Sequence, residues 1–387
     1  MLSPEEFNFI ENNLQEDPRS LALKAHGKFK DSMGFLLDQI SIRKKLSKKL
    51  PSWVQESTVL FPSTRSSEQC SSEITAHYKA SLVEGKSVVD ITGGMGVDAW
   101  AFSKKFDSVK HIEYDPEVQR YAKHNFSALG INNIESLCDD GLNFLKSNDE
   151  KFDLIFADPD RRPQEKRTFE LEDNLPNVVE HQALLLQQAN NVLVKASPMC
   201  GIKHTLSVLN NVKEVHVVGY KNECKEVLFL LEKEYQGDVK IVAVELGTAF
   251  KHQFWYSNLS KPKIQHHPLD FIYDPFVAYR KANLTAELSY LFPSYPIGLE
   301  NSLLTSSDFY EGFPGRVFKV IDQVNYDKAS FKKTGIKQAN VIARGLPVRA
   351  DEIVKKLKLK DGGNTFLIAY KNQNNKLMLL LCERKIV

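Results

Sequence analysis

Apolar and polar residues follow three different patterns along this chain. From Ser3 to about Ala80 the pattern is helical, and it opens with Ser3-Pro4-Glu5-Glu6. These residues offer an N-cap, a proline at the first helical position and a capping-box glutamate. A last helix is predicted over residues 73–80, directly before the pattern changes. The sequence therefore predicts an N-terminal helical region.

From Ser87 to about Glu245, short apolar runs typical of strands alternate with helical runs. This alternation predicts an α/β fold, a doubly wound parallel sheet with helices on both faces. The last two runs are joined only by residues 219–224, which is too short for a parallel crossover, so we expect them to pair antiparallel. The strand-like runs are 87–91, 109–113, 133–137, 152–157, 191–194, 214–218 and 227–231.

A third pattern follows residues 257–268, whose prolines, lysines and adjacent histidines are typical of a linker. Beyond it we expect a turn and strand over 313–320, a helix over 350–357, and a hairpin of 365–370 with 377–382. These elements indicate a small α+β module. The predicted domains are 1–80, helical; 81–256, doubly wound; and 269–387, α+β.

The formal net charge of the 387 residues is only +2, so any attraction to nucleic acid must come from local patches. One such patch lies between Arg316 and Lys360, where basic residues exceed acidic ones by eight, which favours phosphate binding. A second basic cluster, residues 43–49, is predicted to be a solvated helix face.

The five cysteines show no Cys-x-x-Cys pair, which argues against a structural zinc site or a disulfide framework. No apolar run approaches the roughly eighteen residues of a membrane span. We therefore expect a cytoplasmic protein with neither a metal nor a membrane partner.

The most informative stretch is Ser87-Val-Val-Asp-Ile-Thr-Gly-Gly-Met-Gly96, an apolar strand that ends at Asp90 and leads into a glycine turn. Gly94 and Gly96 lack the Cβ that would keep a ligand away from the backbone. The helical pattern that follows would present free N–H groups to that ligand. Taken alone, this loop fits a dinucleotide fingerprint as well as a methyltransferase loop.

Acids at the ends of later strands narrow the choice of cofactor. Glu113 closes the second strand, where a carboxylate can accept both ribose hydroxyls. Asp140 follows the third strand, where an adenine amino group needs an acceptor, and Asp139 is its rival. Asp158 follows the fourth strand, beside the reactive end of the cofactor. Dehydrogenases rarely need this series, whereas S-adenosylmethionine enzymes usually have it.

In order and spacing, these residues resemble the first four motifs of class I S-adenosylmethionine-dependent methyltransferases. Thr92 departs from the commonest loop, which has its first glycine there. The resemblance implies a Rossmann-like doubly wound sheet with an antiparallel edge hairpin, and S-adenosyl-L-methionine as cofactor. It implies a cofactor site formed by Asp90, Thr92, Gly94, Gly96, Asp98, Glu113, Tyr114, Asp140, Gly141 and Asp158.

Further motifs are similar to those of a bacterial group of methyltransferases that carry a C-terminal THUMP-like domain. THUMP domains proper bind RNA in tRNA-modifying enzymes, so the resemblance implies an RNA substrate, tRNA or rRNA. It covers nearly the whole chain through Glu68-Gln-Cys-Ser-Ser-Glu73, Asp158-Pro-Asp-Arg-Arg162, Lys195-Ala-Ser-Pro-Met199, Asn222-Glu-Cys-Lys-Glu226, Arg344-Gly-Leu-Pro347 and Lys360-Asp-Gly-Gly363.

The segment after the fourth strand is the candidate for the methyl-acceptor side. Enzymes that methylate exocyclic amines commonly have an aromatic residue where this chain has Arg161. Guanidinium groups there could clamp a phosphate or stack on a base, and Asp158 or Asp160 could accept a proton. Asp158, Asp160 and Arg161 are therefore the catalytic candidates. In the alternative interpretation, Arg161 and Arg162 form surface salt bridges with Glu165, Glu170 or Glu172.

Two residues and two functions remain open. Cys200 lies too late for a pyrimidine-methylating nucleophile and is interpreted as a packed residue. Lys195 either meets a phosphate or carboxylate or forms a structural ion pair. The leading hypothesis is an RNA methyltransferase. The alternatives are a methyltransferase acting on a protein or small molecule, and a noncatalytic RNA-binding protein with a vestigial methyltransferase fold.

Overall fold

The computed structural model describes residues 2–24, 29, 31–62, 64–161, 169–258, 264–265, 267–297 and 302–385. The chain divides into two compact units. Unit 1 comprises Met1–Glu214 and Val227–Gly237, and unit 2 comprises Val215–Glu226 and Asp238–Val387. The predicted domain limits 1–80, 81–256 and 269–387 stay a prediction.

Unit 1 begins with a series of helices. They are α1 (Pro4–Asn12), α2 (Pro18–Lys24), α3 (Met33–Leu46), α4 (Pro51–Gln55), α5 (Thr64–Gln69) and α6 (Glu73–Ala80). Ser3 and Glu6 form the predicted capping box of α1. Helix α6 has the predicted bounds, and Ser72 caps it by accepting the N–H of Thr75. The predicted capping box of α1 and the predicted bounds of α6 are thus confirmed.

One prediction for α3 is wrong, because Arg43 of the basic cluster is only 2% exposed. Its guanidinium donates to the carbonyls of Val54 (3.0 Å), Glu56 (3.3 Å), Ser57 (2.8 Å) and Val59 (2.5 Å). Burial lowers the pKa of Arg43 to about 10. A guanidinium has five N–H donors, so this one side chain can hold α3 to the irregular segment after α4.

The rest of unit 1 alternates strands and helices. The strands are β1 (Ser87–Asp90), β2 (Ser108–Glu113), β3 (Ile134–Cys138), β4 (Phe152–Ala157), β5 (Asp160–Arg161), β6 (Asn174–Leu175), β7 (Ala189–Ala196), β8 (Val212–Tyr220) and β9 (Glu223–Glu232), the last two shared with unit 2. The helices are α7 (Val97–Phe102), α8 (Pro116–Ala128), α9 (Gly141–Ser147), α10 (Val178–Gln188) and α11 (Ile202–Val208), with a 3₁₀ turn at Leu171–Asp173.

The sheet of unit 1 has the strand order β9-β7-β4-β1-β2-β3. Strands β7, β4, β1, β2 and β3 are parallel, and β9 runs antiparallel to β7. Val88, Leu154 and Val192 of its central strands are fully buried, as expected of parallel strands covered on both faces. The predicted fold class, a doubly wound sheet finished by an antiparallel edge, is confirmed.

Unit 2 contains the remaining elements. Its strands are β10 (Lys240–Leu246), β11 (Lys251–Trp255), β12 (Phe271–Pro275), β13 (Tyr295–Pro296), β14 (Leu304–Ser306), β15 (Gly315–Asn325), β16 (Asn340–Ala343), β17 (Thr365–Lys371) and β18 (Leu377–Lys385). Its helices are α12 (Val277–Lys281), α13 (Thr285–Leu291), α14 (Lys328–Lys332) and α15 (Ala350–Leu357), with a 3₁₀ turn at Tyr256–Asn258.

The α+β module of unit 2 is a sheet in the order β13-β14-β12-β15-β18-β17-β16. Strands β17 and β18 form the predicted antiparallel hairpin, and α15 has the predicted bounds. Two apolar clusters form its core, one around Phe318 and Ile368 and the other around Phe331 and Leu379. The sequence did not predict the antiparallel pair β10 and β11. Within the described ranges, no helix is long and apolar enough to cross a membrane.

Candidate active site

The glycine loop leaves β1 at the carboxyl end of the sheet of unit 1. Asp90 is buried, and its Oδ1 accepts the N–H (3.0 Å) and the hydroxyl (3.2 Å) of Thr92. The same hydroxyl oxygen accepts the N–H of Asp158 at 2.7 Å. Thr92 therefore joins the ends of β1 and β4, a task that glycine could not perform. Burial, reinforced by the charge of Asp98, raises the pKa of Asp90 well above its usual value.

The predicted glycines of this site serve different needs. Gly94 has a φ of 54°, and a Cβ added there would meet only a backbone oxygen at 3.9 Å. Gly96 has a φ of 89°, and its added Cβ would lie 2.4 Å from the ring of Phe126. A Cβ on Gly141 would lie 2.2 Å from the carbonyl oxygen of Ile91. Gly94 thus presents an open backbone face, whereas packing demands the other two glycines.

Glu113 ends β2 next to this loop. Its Oε2 accepts the N–H of Gly94 at 2.7 Å, and its Oε1 accepts the N–H of Asp115 at 2.9 Å. Each carboxylate oxygen has two lone pairs, so both can accept a further donor. Burial raises the pKa of Glu113. The neighbouring Tyr114 is 78% exposed, which leaves an aromatic face free beside the carboxylate.

The acids after β3 lie at the start of α9. Asp140 caps this helix, because its Oδ1 accepts the N–H groups of Leu142 (3.0 Å) and Asn143 (2.9 Å). Oδ1 of Asp139 accepts the N–H of Asp140 at 2.7 Å. Both acids are exposed at the same sheet edge as the glycine loop. The predicted contact of Asp140 with adenine stays a prediction.

Asp98, on α7, is engaged by the N-terminal helices. Its Oδ1 lies 3.1 Å from Nζ of Lys79, which is fully buried, and its Oδ2 accepts the hydroxyl of Ser71 at 2.7 Å. Lys79 also donates to this hydroxyl at 3.0 Å. Because a buried cation needs a counter-charge, Asp98 stabilises Lys79 and links α6 to the glycine-loop helix. A contact of Asp98 with the cofactor stays a prediction.

Asp158, where the predicted methyl-acceptor side begins, forms an ion pair with Lys195 from the end of β7. Asp158 is the more exposed partner of the pair. Of the two alternatives left open for Lys195, the structure shows an ion pair within the protein. Asp160 and Arg161 form the short β5, which pairs with Leu175 and Asn174 of β6.

The other predicted contacts of this segment are only partly described. The Arg161 side chain and residues 162–168, which include Arg162 and Glu165, lie outside the described residues. Glu172 contacts Nε2 of His204 at 2.8 Å. Cys200 is buried, as expected of a packed residue.

A group near the Asp158–Lys195 pair was missed at the level of sequence. Nζ of Lys49 donates to the carbonyl of Glu68 at 2.5 Å, and burial lowers its pKa. Sγ of Cys70 donates to the carbonyl of Ser67 at 3.0 Å, and burial raises its pKa. The charge of Lys195 affects the pKa of both groups, so they lie near it. The motif Glu68–Glu73 is part of the family resemblance, but the sequence predicted no role for Cys70 or Lys49.

These residues fit a nucleoside-type cofactor. Gly94 leaves an open face along the backbone, and the paired oxygens of Glu113 can accept two vicinal hydroxyls. The exposed ring of Tyr114 provides a surface for a base. All three features lie at the carboxyl ends of parallel strands, where ligands bind in open α/β sheets.

Two family models match parts of the chain. Residues 54–220 match the model described as "Conserved hypothetical protein 95", and residues 315–384 match "THUMP domain-like". No sequence among the curated proteins matches significantly.

Solved structures also resemble this chain. A candidate methyltransferase from Porphyromonas gingivalis W83 is 26% identical, with a TM-score of 0.88 over 99% of this chain and 98% of its own. An rRNA methylase from Streptococcus thermophilus is 16% identical over 41% of this chain and 94% of its own, with a TM-score of 0.31. TrmK from M. capricolum, in complex with S-adenosyl-homocysteine, is 14% identical over 42% and 68%, with a TM-score of 0.33. The TM-scores of 0.31 and 0.33 are too low to support a conclusion about this chain.

The fold and the site define a class I methyltransferase. Methyltransferases of this class take their methyl group from S-adenosylmethionine. With residues 315–384 matching a THUMP-like domain, the chain is a class I methyltransferase with a C-terminal THUMP-like domain, as the sequence predicted.

Proposed function

We propose that this protein methylates a nucleotide in RNA, tRNA or rRNA, using S-adenosylmethionine. The observation that carries the proposal is the combination of an open glycine loop and an acid series in unit 1 with a THUMP-like domain in unit 2. The family matched by residues 54–220 is one of RNA methylases, which supports an RNA substrate. The excess of eight positive charges between residues 316 and 360 supports it independently.

We assign the cofactor contacts as follows. Glu113 accepts the ribose hydroxyls, Asp140 accepts the adenine amino group, and the backbone at Gly94 lies along the methionine part. When bound, S-adenosylmethionine supplies a methyl group on a positively charged sulfur. The burial that raises the pKa of Glu113 also strengthens the hydrogen bonds that its remaining lone pairs accept from hydroxyl groups.

The chain's own contribution to transfer is alignment and proton removal. Thr92 fixes the backbone of Asp158, and Lys195 holds its carboxylate at the acceptor side. Asp158 then accepts the proton that the methylated atom loses, with Asp160 as the nearby alternative. A nucleotide amine or ring nitrogen has such a proton to give.

We also place the protein in the cytoplasm. All five cysteines are free thiols in the structure, including the exposed Cys138. Free thiols persist in a reducing compartment. Fractionation of cells should find the protein with the ribosomes and soluble enzymes, and recovery from the cell envelope would contradict this placement.

The proposal is tested by labelled methyl transfer from S-adenosylmethionine into total RNA from a strain that lacks the protein, followed by nucleoside mass spectrometry. We expect one labelled nucleoside. Asp158→Asn should lower the transfer rate at least about a hundredfold and spare cofactor binding measured by calorimetry. Asp107→Asn, at an exposed position of unit 1, is the matched control and should retain full activity.

Other outcomes favour the alternative functions. Cofactor binding without label in RNA would favour a protein or small-molecule acceptor. Absence of cofactor binding would favour a noncatalytic RNA-binding protein. If Asp158→Asn loses cofactor binding together with transfer, Asp158 serves the cofactor rather than the acceptor.

A further inference from the structure

Unit 2 contains a cavity of about 490 Å³, within the range of ligand pockets. It lies between the β8–β9 turn, the β10–β11 turn, and the ends of β12, β15 and β18. The residues that matter for its chemistry are Tyr220, Lys221, Glu245, Phe276, Arg316 and Arg384. Every lining residue belongs to unit 2.

Positive charge is concentrated beside this cavity. Asp274 is buried and faces three guanidinium groups: Arg316 donates to it through Nε at 3.1 Å, Arg280 through Nη1 at 2.7 Å, and Arg344 lies 3.7 Å away. Glu245 is a second carboxylate close to Arg280, and two carboxylates still cannot neutralise three such cations, so this cluster keeps a surplus of positive charge. Arg316 brings that surplus to the cavity wall, which favours binding of an anion.

Lys221 and Arg384 add to this charge on the other walls of the cavity. Nζ of Lys221 lies 5.0 Å from the ring centre of Tyr220, and its left-handed backbone, with a φ of 53°, holds it at the tip of the β8–β9 turn. Tyr220 and Phe276 are only partly buried, so aromatic surface also lines the cavity. Cations together with aromatic rings are typical of sites that hold a phosphate and stack a base.

A buried carboxylate lies in the same wall. Glu245 is 2% exposed, and burial raises its pKa. Its Oε1 accepts the N–H of Asn222 at 2.6 Å, whereas its Oε2 has no hydrogen-bond partner among the described residues. An unsatisfied buried acceptor costs roughly 1–3 kcal/mol. Oε2 is closed off from solvent and faces Gly219, where an added Cβ would lie 2.3 Å from it, so Glu245 forms part of the cavity wall and does not contact a ligand.

Two motifs that the methyltransferase site does not use converge here. Asn222, from the motif Asn222–Glu226, also accepts the N–H of Val277 through its side chain at 3.0 Å. Arg344, the first residue of the motif Arg344–Pro347, lies close to the carboxylate of Asp274. The catalytic centre of unit 1 explains neither residue.

We propose that this cavity binds one nucleotide. Its phosphate contacts Arg316, Arg384 and Lys221, and its base stacks on the aromatic surface. This inference rests on the proposed function only in taking RNA as the source of the nucleotide. It adds a second RNA contact, separate from the nucleotide that is methylated.

The test uses the full chain and calorimetric titration with GMP, AMP, CMP, UMP and inorganic phosphate. We expect a nucleoside monophosphate to bind at least about tenfold more tightly than phosphate. Arg384→Glu should weaken nucleotide binding at least about tenfold. Arg349→Glu is the control, because Arg349 is highly exposed and pairs with Asp351 on α15.

Three results would overturn the proposal: equal binding of phosphate and nucleotides, equal loss in Arg384→Glu and Arg349→Glu, or no nucleotide binding by the folded wild-type chain. A parallel titration with short RNA oligonucleotides distinguishes a site for RNA from one for free nucleotides, and tighter binding of free nucleotides would overturn the assignment to RNA. Methyl transfer is measured separately with S-adenosylmethionine. Its absence with intact nucleotide binding would contradict the proposed function and leave the cavity assignment standing.

Discussion

At the residue scale, polar side chains of the candidate site each hold a backbone segment in place. Thr92 links Asp90 to the backbone of Asp158, and Glu113 binds the N–H of Gly94. His111 supports the same loop, since its Nε2 lies 3.1 Å from the carbonyl oxygen of Gly94. We therefore expect a substitution at these positions to change cofactor binding through the shape of the loop as well as through the proposed contacts.

Glu113→Gln should weaken S-adenosylmethionine binding by roughly ten- to a hundredfold, because it replaces charge-assisted hydrogen bonds and puts an amide N–H against a backbone donor. Titration calorimetry measures the change. Glu117→Gln makes the same chemical change at an exposed position on α8. Equal losses in the two variants would show that Glu113 has no special contact with the cofactor.

A pH effect follows from His111, which is fully buried. Burial lowers its pKa from 6.5 to about 4, so the folded chain keeps the imidazole ring of His111 neutral. Because His111 takes up a proton more readily in the unfolded chain, its neutral ring stabilises the fold fully only above about pH 6.5. This stabilisation is lost as the pH falls towards 4, which lowers the free energy of unfolding by up to roughly 3 kcal/mol. Urea unfolding at pH 7 and pH 5 should show His111→Gln to be less pH-dependent than the wild type. This prediction is contradicted if the control variant His181→Gln reduces the pH dependence of the free energy of unfolding to the same degree.

At the element scale, close approaches between backbone segments position the ends of the strands. The start of α9 passes so near the end of β1 that Gly141 has no room for a Cβ. Asp140 caps α9 at the same point, so helix position and acid position are set together. The sheet edge where the cofactor is proposed to bind thus depends on one glycine.

Gly141→Ala should lower the free energy of unfolding by roughly 1–3 kcal/mol, because the new Cβ would press on the carbonyl oxygen of Ile91, which is backbone. Gly34→Ala is the comparison: nothing lies within 4 Å of its added Cβ, and it lies in α3. That change should stabilise by about 0.5–1 kcal/mol. Urea denaturation measures both, and an unchanged midpoint for Gly141→Ala would show that the helix start shifts freely.

The sequence predicted elements where one signal was strong. Buried parallel strands such as β4 are mostly apolar runs, interrupted in β4 only by Asp153, and α6 and α15 have clear termini. The antiparallel β11 (Lys251–Trp255) was missed because its residues are largely polar and exposed. The pairing of Lys79 with Asp98 and the burial of Arg43 depend on contacts between separate elements, which residue spacing does not reveal.

At the scale of the whole molecule, charge is nearly balanced overall but uneven along the chain. The THUMP-like domain carries most of the local basic excess, while the cofactor side of unit 1 is rich in carboxylates. RNA binding should therefore depend on lysines and arginines of unit 2.

The affinity for RNA should fall as salt rises, with a contribution of roughly 0.7 to the logarithmic slope for each phosphate contacted. Lys332→Glu with Lys333→Glu, at exposed positions by α14, should lower that slope by about 1.4. Lys104→Glu with Lys105→Glu makes the same charge change on the exposed surface of unit 1. Fluorescence anisotropy titrations at about 50 to 200 mM salt measure the slope of log affinity against log salt concentration for each variant. A larger effect of the unit 1 pair would place the RNA elsewhere.

The order in which the chain visits its two units has a genetic consequence. It enters unit 2 at residue 215, returns to unit 1 at 227 and leaves again after 237. A single crossover between homologous genes cannot exchange one unit intact, because any one cut leaves a piece of at least one unit on the wrong side. During translation, unit 1 likewise lacks its antiparallel strand until β9 has left the ribosome, after part of unit 2 has already been made. The two units therefore have to be inherited, and synthesised, as an interleaved pair.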